Sequence, residues 1–387
     1  MAGDLQFRRL RRRCVRGGGD VRCRLLAMVC IHFCSVITRR ENETTLKDVA
    51  ERAGVHAATV SRALDPARQH LVNAKTREKV RVVAEELGYR VNTVAQSLRK
   101  GLTGLVGVLV ADVANPFVAP LLRGIEQEFR THGAMLIIAE THDDSQTLAT
   151  ALDNFAKRRV DAVILTAALQ GDEPQVRDAA GGMPVVLAVR TLPSGDWPSV
   201  THDDVLGGRL AAQHLVDLGH RRLAQLKGSS RNSSFLGRST GYESVMATTT
   251  ARDVTGDVIA SAPTVEEGFR LTTMLLERDE KNVPTAIFAH NDQLAVGAIA
   301  AIKERGLRCP DDLSVVGYND SPLAGHLDPP LTTVRLPTWE LGRQAAHVVI
   351  EILGGAESVE PTPPLPPELI VRGSTAPAAV DAELASS

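Results

Sequence analysis

The stretch Thr44–Leu64, "TTLKDVAERAGVHAATVSRAL", packs the start, stop and restart of two short helices into 21 residues. Thr45 is a good N-cap, and Asp48, three residues on, supplies the acid that a first helical turn favours. Leu46, Val49, Ala50 and Ala53 then share one face. Gly54 follows where a left-handed residue ends a helix and turns the chain. From Val55 a second apolar pattern runs through Val60, Ala63 and Leu64. Small Ala50, four residues before Gly54, lets the two helices cross closely at a tight turn. Downstream, "AKTREKVRVVAEELGY" (74–89) repeats Val80, Val83 and Leu87 at helical spacing, with Gly88 as its stop.

Charge is unevenly spread. Residues 44–100 carry eleven Lys/Arg against six Asp/Glu, and residues 1–43 ten Arg against four acids. The whole chain is −2, so residues 101–387 sum to −13. A basic front on an acidic body fits a polyanion-binding head joined to a body with another task. Three short helices of this spacing form a helix-turn-helix head, whose second helix enters a DNA major groove.

The run "TTLKDVAERAGVHAATVSRAL…VNAKTREKVRVVAEELGYRVNTVAQSLRKG" resembles the DNA-binding head of the LacI/GalR family of bacterial transcription regulators. That resemblance implies that Ala57 and Ala58 face base edges, that Arg62 reads or braces against the groove, and that Thr59 and Ser61 offer hydroxyls. Thr45, at the head's first helix start, joins this DNA-facing set. Some of the family carry larger polar side chains at the first two positions. Two alanines can touch only a thymine methyl or leave space, so Arg62 carries more of the direct readout. "DPARQHL" (65–71) is about two residues longer than the family's usual connection. By resemblance, residues 92–101 form a hinge helix on DNA. Leu98 there wedges into the minor groove, flanked by Asn92, Val94, Ala95 and Gln96.

Beyond Gly101, apolar runs such as "GLVGVLVA", "AMLIIAE", "DAVILTAA", "AIFAH" and "LSVVGYND" alternate with amphipathic segments such as "FVAPLLRGIEQEFRTHG" and "WELGRQAAHVVIEILGG". Some 270 residues of this alternation are too much for one compact parallel sheet. The expected fold is α/β: an all-α helix-turn-helix head (44–91), a hinge (92–101), and a two-lobed body (102–372) of doubly wound parallel sheets. The body resembles the periplasmic-binding-protein-like (type I) effector domain of the same family. Ligand is expected at the carboxyl ends of strands, in the crevice between lobes. Polar residues follow strand ends there: Asn115 with Phe117 beside it, Arg190, Arg238 at a helix start, Asn291 and Asp292, Asn319 and Asp320. Amides, carboxylates and a forked guanidinium converging on a cleft suit a sugar or nucleoside-like ligand. By resemblance, Arg238, Asn291 and Asn319 align with effector-contacting positions, although most relatives have Asp where Asn319 stands. Asp292 and Asp320 also read as caps of the following helix or turn.

Four cysteines fall within the first 34 residues and only Cys309 lies in the body, so no disulfide framework is expected there. In residues 1–43 a basic run followed by the apolar "LLAMVCIHFCSVIT" mimics an export signal without a clear cleavage site, and that apolar run is too short to span a membrane. Residues 1–43 read as an extension, with Met28 one later candidate start. "PTPPLPP" (361–367) reads as a stiff extended segment, and 373–387 as a disordered tail. "GGGD" (17–20) lacks the ending of a phosphate loop, and the two "THDD" segments (141–144, 201–204) lack a metal-binding His pair, so both read as loop polarity. No nucleophile, cofactor or metal set emerges. The expectation is a cytoplasmic, non-enzymatic, effector-controlled DNA-binding repressor acting as a homodimer, with a tetramer left open and no membrane partner. A solute-binding protein of the same body fold is the alternative.

Overall fold

The computed structural model describes residues 44–65, 68–89, 102–356 and 358–378. The chain divides into two compact units between Lys100 and Gly101. In the first, α1 (Leu46–Ala53), α2 (Ala57–Ala63), a short 3-10 turn (Gln69–Leu71) and α3 (Ala74–Glu86) follow one another. Thr45 caps α1 in a reciprocal capping box with Asp48, and Gly54 closes it at φ 63°. Val49, Ala53, Val60 and Val80 are fully buried, with Ala50 and Val83 nearly so. The apolar positions read from the sequence are therefore the core of the head.

The body begins with β1 (Leu105–Val110), α4 (Val118–Arg130), β2 (Met135–Glu140), α5 (Ser145–Lys157), β3 (Ala162–Leu165), α6 (Glu173–Ala180), β4 (Val185–Ala188) and β5 (Ser199–Val200). These strands form one parallel sheet in the order β2-β1-β3-β4-β5. The chain then builds a second sheet from α7 (Asp204–Asp217), β6 (Arg222–Leu226), α8 (Ser233–Met246), β7 (Arg252–Asp253), α9 (Val265–Leu276), β8 (Ala286–Ala289), α10 (Asp292–Glu304), β9 (Ser314–Asn319) and β10 (Thr332–Arg335). It returns through α11 (Thr338–Leu353), which packs on the first sheet's core, and ends with β11 (Glu368–Ile370). The second sheet runs β7-β6-β8-β9-β10-β11, the same winding, with β11 added antiparallel to β10. The two doubly wound lobes are as expected. The short helix α6 and the antiparallel edge strand were not, because neither eight residues nor three carry a readable period.

Three chain crossings join the lobes: Thr201–Asp203, Leu336–Pro337, and the return after α11. The first and third pair with each other, Leu365 N–H donating to Thr201 O and Asp203 N–H to Leu365 O. Glycines set the tightest helix contacts. A Cβ on Gly208 of α7 would lie 2.1 Å from the Arg238 carbonyl oxygen of α8, and one on Gly241 of α8 would lie 2.0 Å from Val205 O.

The tail is corrected in part. Residues 373–378, expected to be disordered, run along the second sheet. Ser374 is wholly buried, its hydroxyl donating to Val315 O at 2.6 Å and accepting from Thr332 N–H at 2.8 Å. Those buried backbone groups need partners, and the strap supplies them. The expectations for residues 1–43, 92–101 (with Asn92, Ala95 and Leu98) and 379–387 lie outside the described residues. Among the described residues, no helix is long and apolar enough to cross a membrane.

Candidate functional site

In the head, α2 turns Val60 and Ala63 inward and presents Ala58 and Arg62, one turn apart, to solvent. Ala57, Thr59 and Ser61 are half-buried beside them. The Ala58 N–H donates to the ring of the N-cap His56 at 3.2 Å, which fixes where the helix starts. Arg62 pairs with no carboxylate among the described residues, so its five donors stay available to an acceptor outside the protein. Thr45 is exposed, and its hydroxyl is engaged by Asp48 at 2.8 Å. A short helix with one free guanidinium among small side chains can enter a groove and donate two parallel hydrogen bonds to a base edge.

In the body, a cavity of about 290 Å³ opens between the lobes at the carboxyl ends of the strands. Asn115, Phe117, Arg190, Arg238, Asn291 and Asn319 all line it. Asp320 does not. Its carboxylate is held at 2.7 Å by Arg335 and at 2.7 Å by Arg372, and two guanidiniums leave it nothing to offer a ligand. Asp292 is likewise a brace: buried, it accepts from Ser321 N–H and the Thr333 hydroxyl, each at 2.6 Å.

Arg238 sits in the second turn of α8, not at its start. Its Nε donates to Asp204 Oδ1 at 2.9 Å and its Nη1 to the His290 carbonyl. Its Cζ lies 3.9 Å from the Tyr318 ring centre, and the Tyr318 hydroxyl also donates to Asp204, at 3.1 Å. Burial pushes the Asp204 carboxyl above its ordinary range, and the Arg238 guanidinium works against that push. Asn291 does two jobs. Its Oδ1 caps α10 by accepting from Leu294 N–H at 2.8 Å, and its Nδ2 donates to Pro263 O at 2.9 Å while the residue still lines the cavity. Arg190, almost fully buried, donates to Asp143 at 2.5 Å and to Ala167 O at 3.3 Å. Asn115 turns the chain into α4 by accepting from Phe117 N–H at 3.1 Å. Phe117 meets His202 edge-on at 6.1 Å. Asn319 is the last residue of β9, at φ 107°, and its buried Oδ1 has no hydrogen-bond partner among the described residues.

Asp143, Asp204, Asn232, Ser234 and Phe235 were not singled out from the sequence as ligand-facing or supporting residues. The signal lay in the two "THDD" segments, read only as loop polarity. In one, Asp143 pairs with Arg190 and Asp144 caps α5; in the other, Asp203 caps α7 and Asp204 pairs with Arg238. A second polar set ties the lobes together. Arg231 donates to Gln170 O, Ser145 Oγ and Asp172 Oδ1 at 3.2, 3.2 and 3.3 Å, and Gln170 N–H donates back to Arg231 O at 2.7 Å.

Comparison with known proteins bears on both units. Residues 45–92 match the family "Bacterial regulatory proteins, lacI family", and residues 212–375 match "Periplasmic binding protein-like domain". The chain is 32% identical over 338 residues to the HTH-type transcriptional regulator DegA of Bacillus subtilis (strain 168), covering 87% of this chain and 99% of DegA. It is 29% identical to the HTH-type transcriptional repressor CytR of Escherichia coli (strain K12), covering 87% and 98%. Among solved structures it resembles the Lac repressor dimer bound to operator and the anti-inducer ONPF, with a TM-score of 0.75, 32% identity, and 86% and 99% of the chains covered. It also resembles a LacI family regulator from Enterococcus faecium with bound ribose, with a TM-score of 0.62, 28% identity, and 71% and 100% covered. The chain belongs to the LacI family of bacterial regulatory proteins: it is a DNA-binding transcriptional regulator and not an enzyme.

Proposed function

We propose that this chain represses transcription as a cytoplasmic homodimer. Each protomer reads half of a pseudo-palindromic operator through α2, and a small polar metabolite in the body's cleft sets the affinity. The observation that carries the DNA half is the exposed Ala58–Arg62 face, with a guanidinium that pairs with no carboxylate among the described residues, beside the half-buried Ala57, Thr59 and Ser61. Thr45, exposed at the start of α1, joins this DNA-facing set by family resemblance. By family resemblance, Asn92, Ala95 and Leu98 act at the minor groove, Leu98 as the wedge. Asn115, Phe117, Arg190, Arg238, Asn291 and Asn319 form the cleft's wall, and the ribose found in the Enterococcus relative is one example of the ligand class.

The link between the two is thermodynamic. A ligand shifts DNA affinity only by its different affinity for the two states of the body. Fluorescence anisotropy of the full-length protein on a pseudo-palindromic operator library, with and without a panel of sugars and nucleosides, tests it. The expected results are tight binding to a subset of sites, a steep linear fall of log K with log salt, and one panel member that shifts affinity. No salt slope would exclude docking on phosphates.

A further inference from the structure

Wherever a side chain caps the start of a described α-helix other than α2, it does so through an oxygen of Thr, Asn or Asp, as Thr45 does for α1, Asn73 for α3 and Asp144 for α5. The helix α2 departs from this. His56 caps it, with Nδ1 accepting the Ala58 N–H at 3.2 Å. Serine, threonine, asparagine or aspartate caps a helix well and with less bulk, so capping alone does not account for an imidazole here.

The cap decides which ring nitrogen carries the proton. A backbone N–H is met only by a lone pair, so Nδ1 is bare and the neutral ring holds its proton on Nε2. His56 is exposed, and its Nε2 makes no hydrogen bond to a described residue. The ring therefore presents one N–H donor to solvent while the capping bond holds it in place.

The neighbouring side chains leave that donor room. Ala57 and Ala58 follow directly and end at Cβ, and Thr59 and Ser61 are short and half-buried. Around α2, His56 and Arg62 are thus the side chains long enough to carry a donor well clear of the backbone. They stand at opposite ends of the helix. Ala57 and Arg62 alone are separated by about 7.5 Å along the axis, at about 1.5 Å per residue. Successive base pairs lie about 3.4 Å apart, so His56 and Arg62 meet different base pairs.

We propose that His56 is a second base-reading side chain of the head, its Nε2–H donating to a guanine in the major groove at a base pair other than the one Arg62 contacts. Guanine offers that donor two acceptors, O6 and N7, and no competing donor. Cytosine presents a donor, adenine a donor beside its one acceptor, and thymine a methyl group beside its own. The inference rests on the reading of α2 as the helix that enters the groove.

The test is competitive binding of the full-length protein to an operator library that carries every base at every half-site position, read by sequencing the bound fraction. His56→Ser removes the ring and leaves a hydroxyl to take the Ala58 N–H, so the cap survives. It loses about tenfold of the preference for guanine at one base pair of each half-site, and much less affinity for random duplex. The base pair that loses its preference in Arg62→Ala is a different one. His56→Thr, with the same cap, gives the same loss as His56→Ser, and urea unfolding of both variants has the wild-type midpoint. Base preferences unchanged at every position in His56→Ser overturn the inference while leaving the head reading intact. Equal loss on operator and random duplex makes His56 a phosphate contact and overturns it too. A wild-type protein with no preference at any position overturns the head reading, and the inference with it.

Discussion

Arg238 Nε lies 2.9 Å from Asp204 Oδ1, tying α8 to α7 at the wall of the cleft. Both side chains are more than nine-tenths buried. The guanidinium that faces a ligand is thus also the counter-charge of a buried carboxylate, which makes Arg238 structural as well as ligand-facing. Arg238→Ala strands Asp204 and is expected to cost about 3–5 kcal/mol of stability, in addition to any loss of ligand response. Urea unfolding of the full-length protein measures it. An unchanged midpoint would mean that Asp204 does not depend on Arg238. Asp204→Asn/Arg238→Met, which removes both charges, should recover much of the loss.

Histidine burial makes the body acid-sensitive. His202 is nearly inaccessible, both ring nitrogens lack partners among the described residues, and burial together with nearby Arg238 lowers its pKa to about 3. Below pH 6.5 the unfolded chain takes up a proton that the folded chain refuses until about pH 3. Stability is therefore full above pH 6.5 and falls as pH drops through that window. His214, His220 and His290 are shifted in the same direction. Between pH 7 and 5, His202→Leu should lose about 2 kcal/mol less unfolding free energy than wild type. Parallel losses would show that His202 is not held neutral.

How far these features could be read from the sequence depends on how local they are. Thr45, Asp48 and Gly54 act within four residues of their partners, so the head was legible from capping and spacing alone. The β-α alternation was legible for the same reason. The cleft was legible only as a set of strand-end residues, and six of the eight line it, Asp292 and Asp320 being the exceptions. Asp320 misled because Arg335 and Arg372 lie 15 and 52 residues away in sequence, and no local pattern announces such pairs. Asp204 was passed over for the same reason, being 34 residues from Arg238. Ser374 joined the sheet through hydrogen bonds to Val315 and Thr332, which a Pro- and Ala-rich tail composition gives no hint of.

The Arg231 set acts as a latch between lobes. Arg231 is half-exposed while Asp172 is buried, and Asp172 retains Ser145 and the Leu169 N–H if the arginine is removed. Arg231→Ala should therefore cost only about 1 kcal/mol of global stability while loosening the crossing. Hydrogen exchange should speed up in residues 166–172 and 229–234 and stay unchanged in the head. Uniform exchange across the body would rule out a local latch.

The α7–α8 crossing tolerates no added methyl. Gly208→Ala places a Cβ against the Arg238 carbonyl, so α8 must shift and carry the guanidinium with it. The expected destabilisation is about 1–3 kcal/mol or more by thermal or urea unfolding. A variant as stable as wild type would mean the helices are not packed this closely.

Arg62 is the side chain through which α2 is proposed to read DNA. The direct measurement is fluorescence anisotropy of wild type and Arg62→Ala on the selected operator and on random duplex of equal length, at the same salt. Loss of one bidentate base contact predicts a cost of about 1–3 kcal/mol on the operator and much less on random DNA. Equal loss on both would make Arg62 a phosphate contact, and no loss on either would contradict the proposed role of α2.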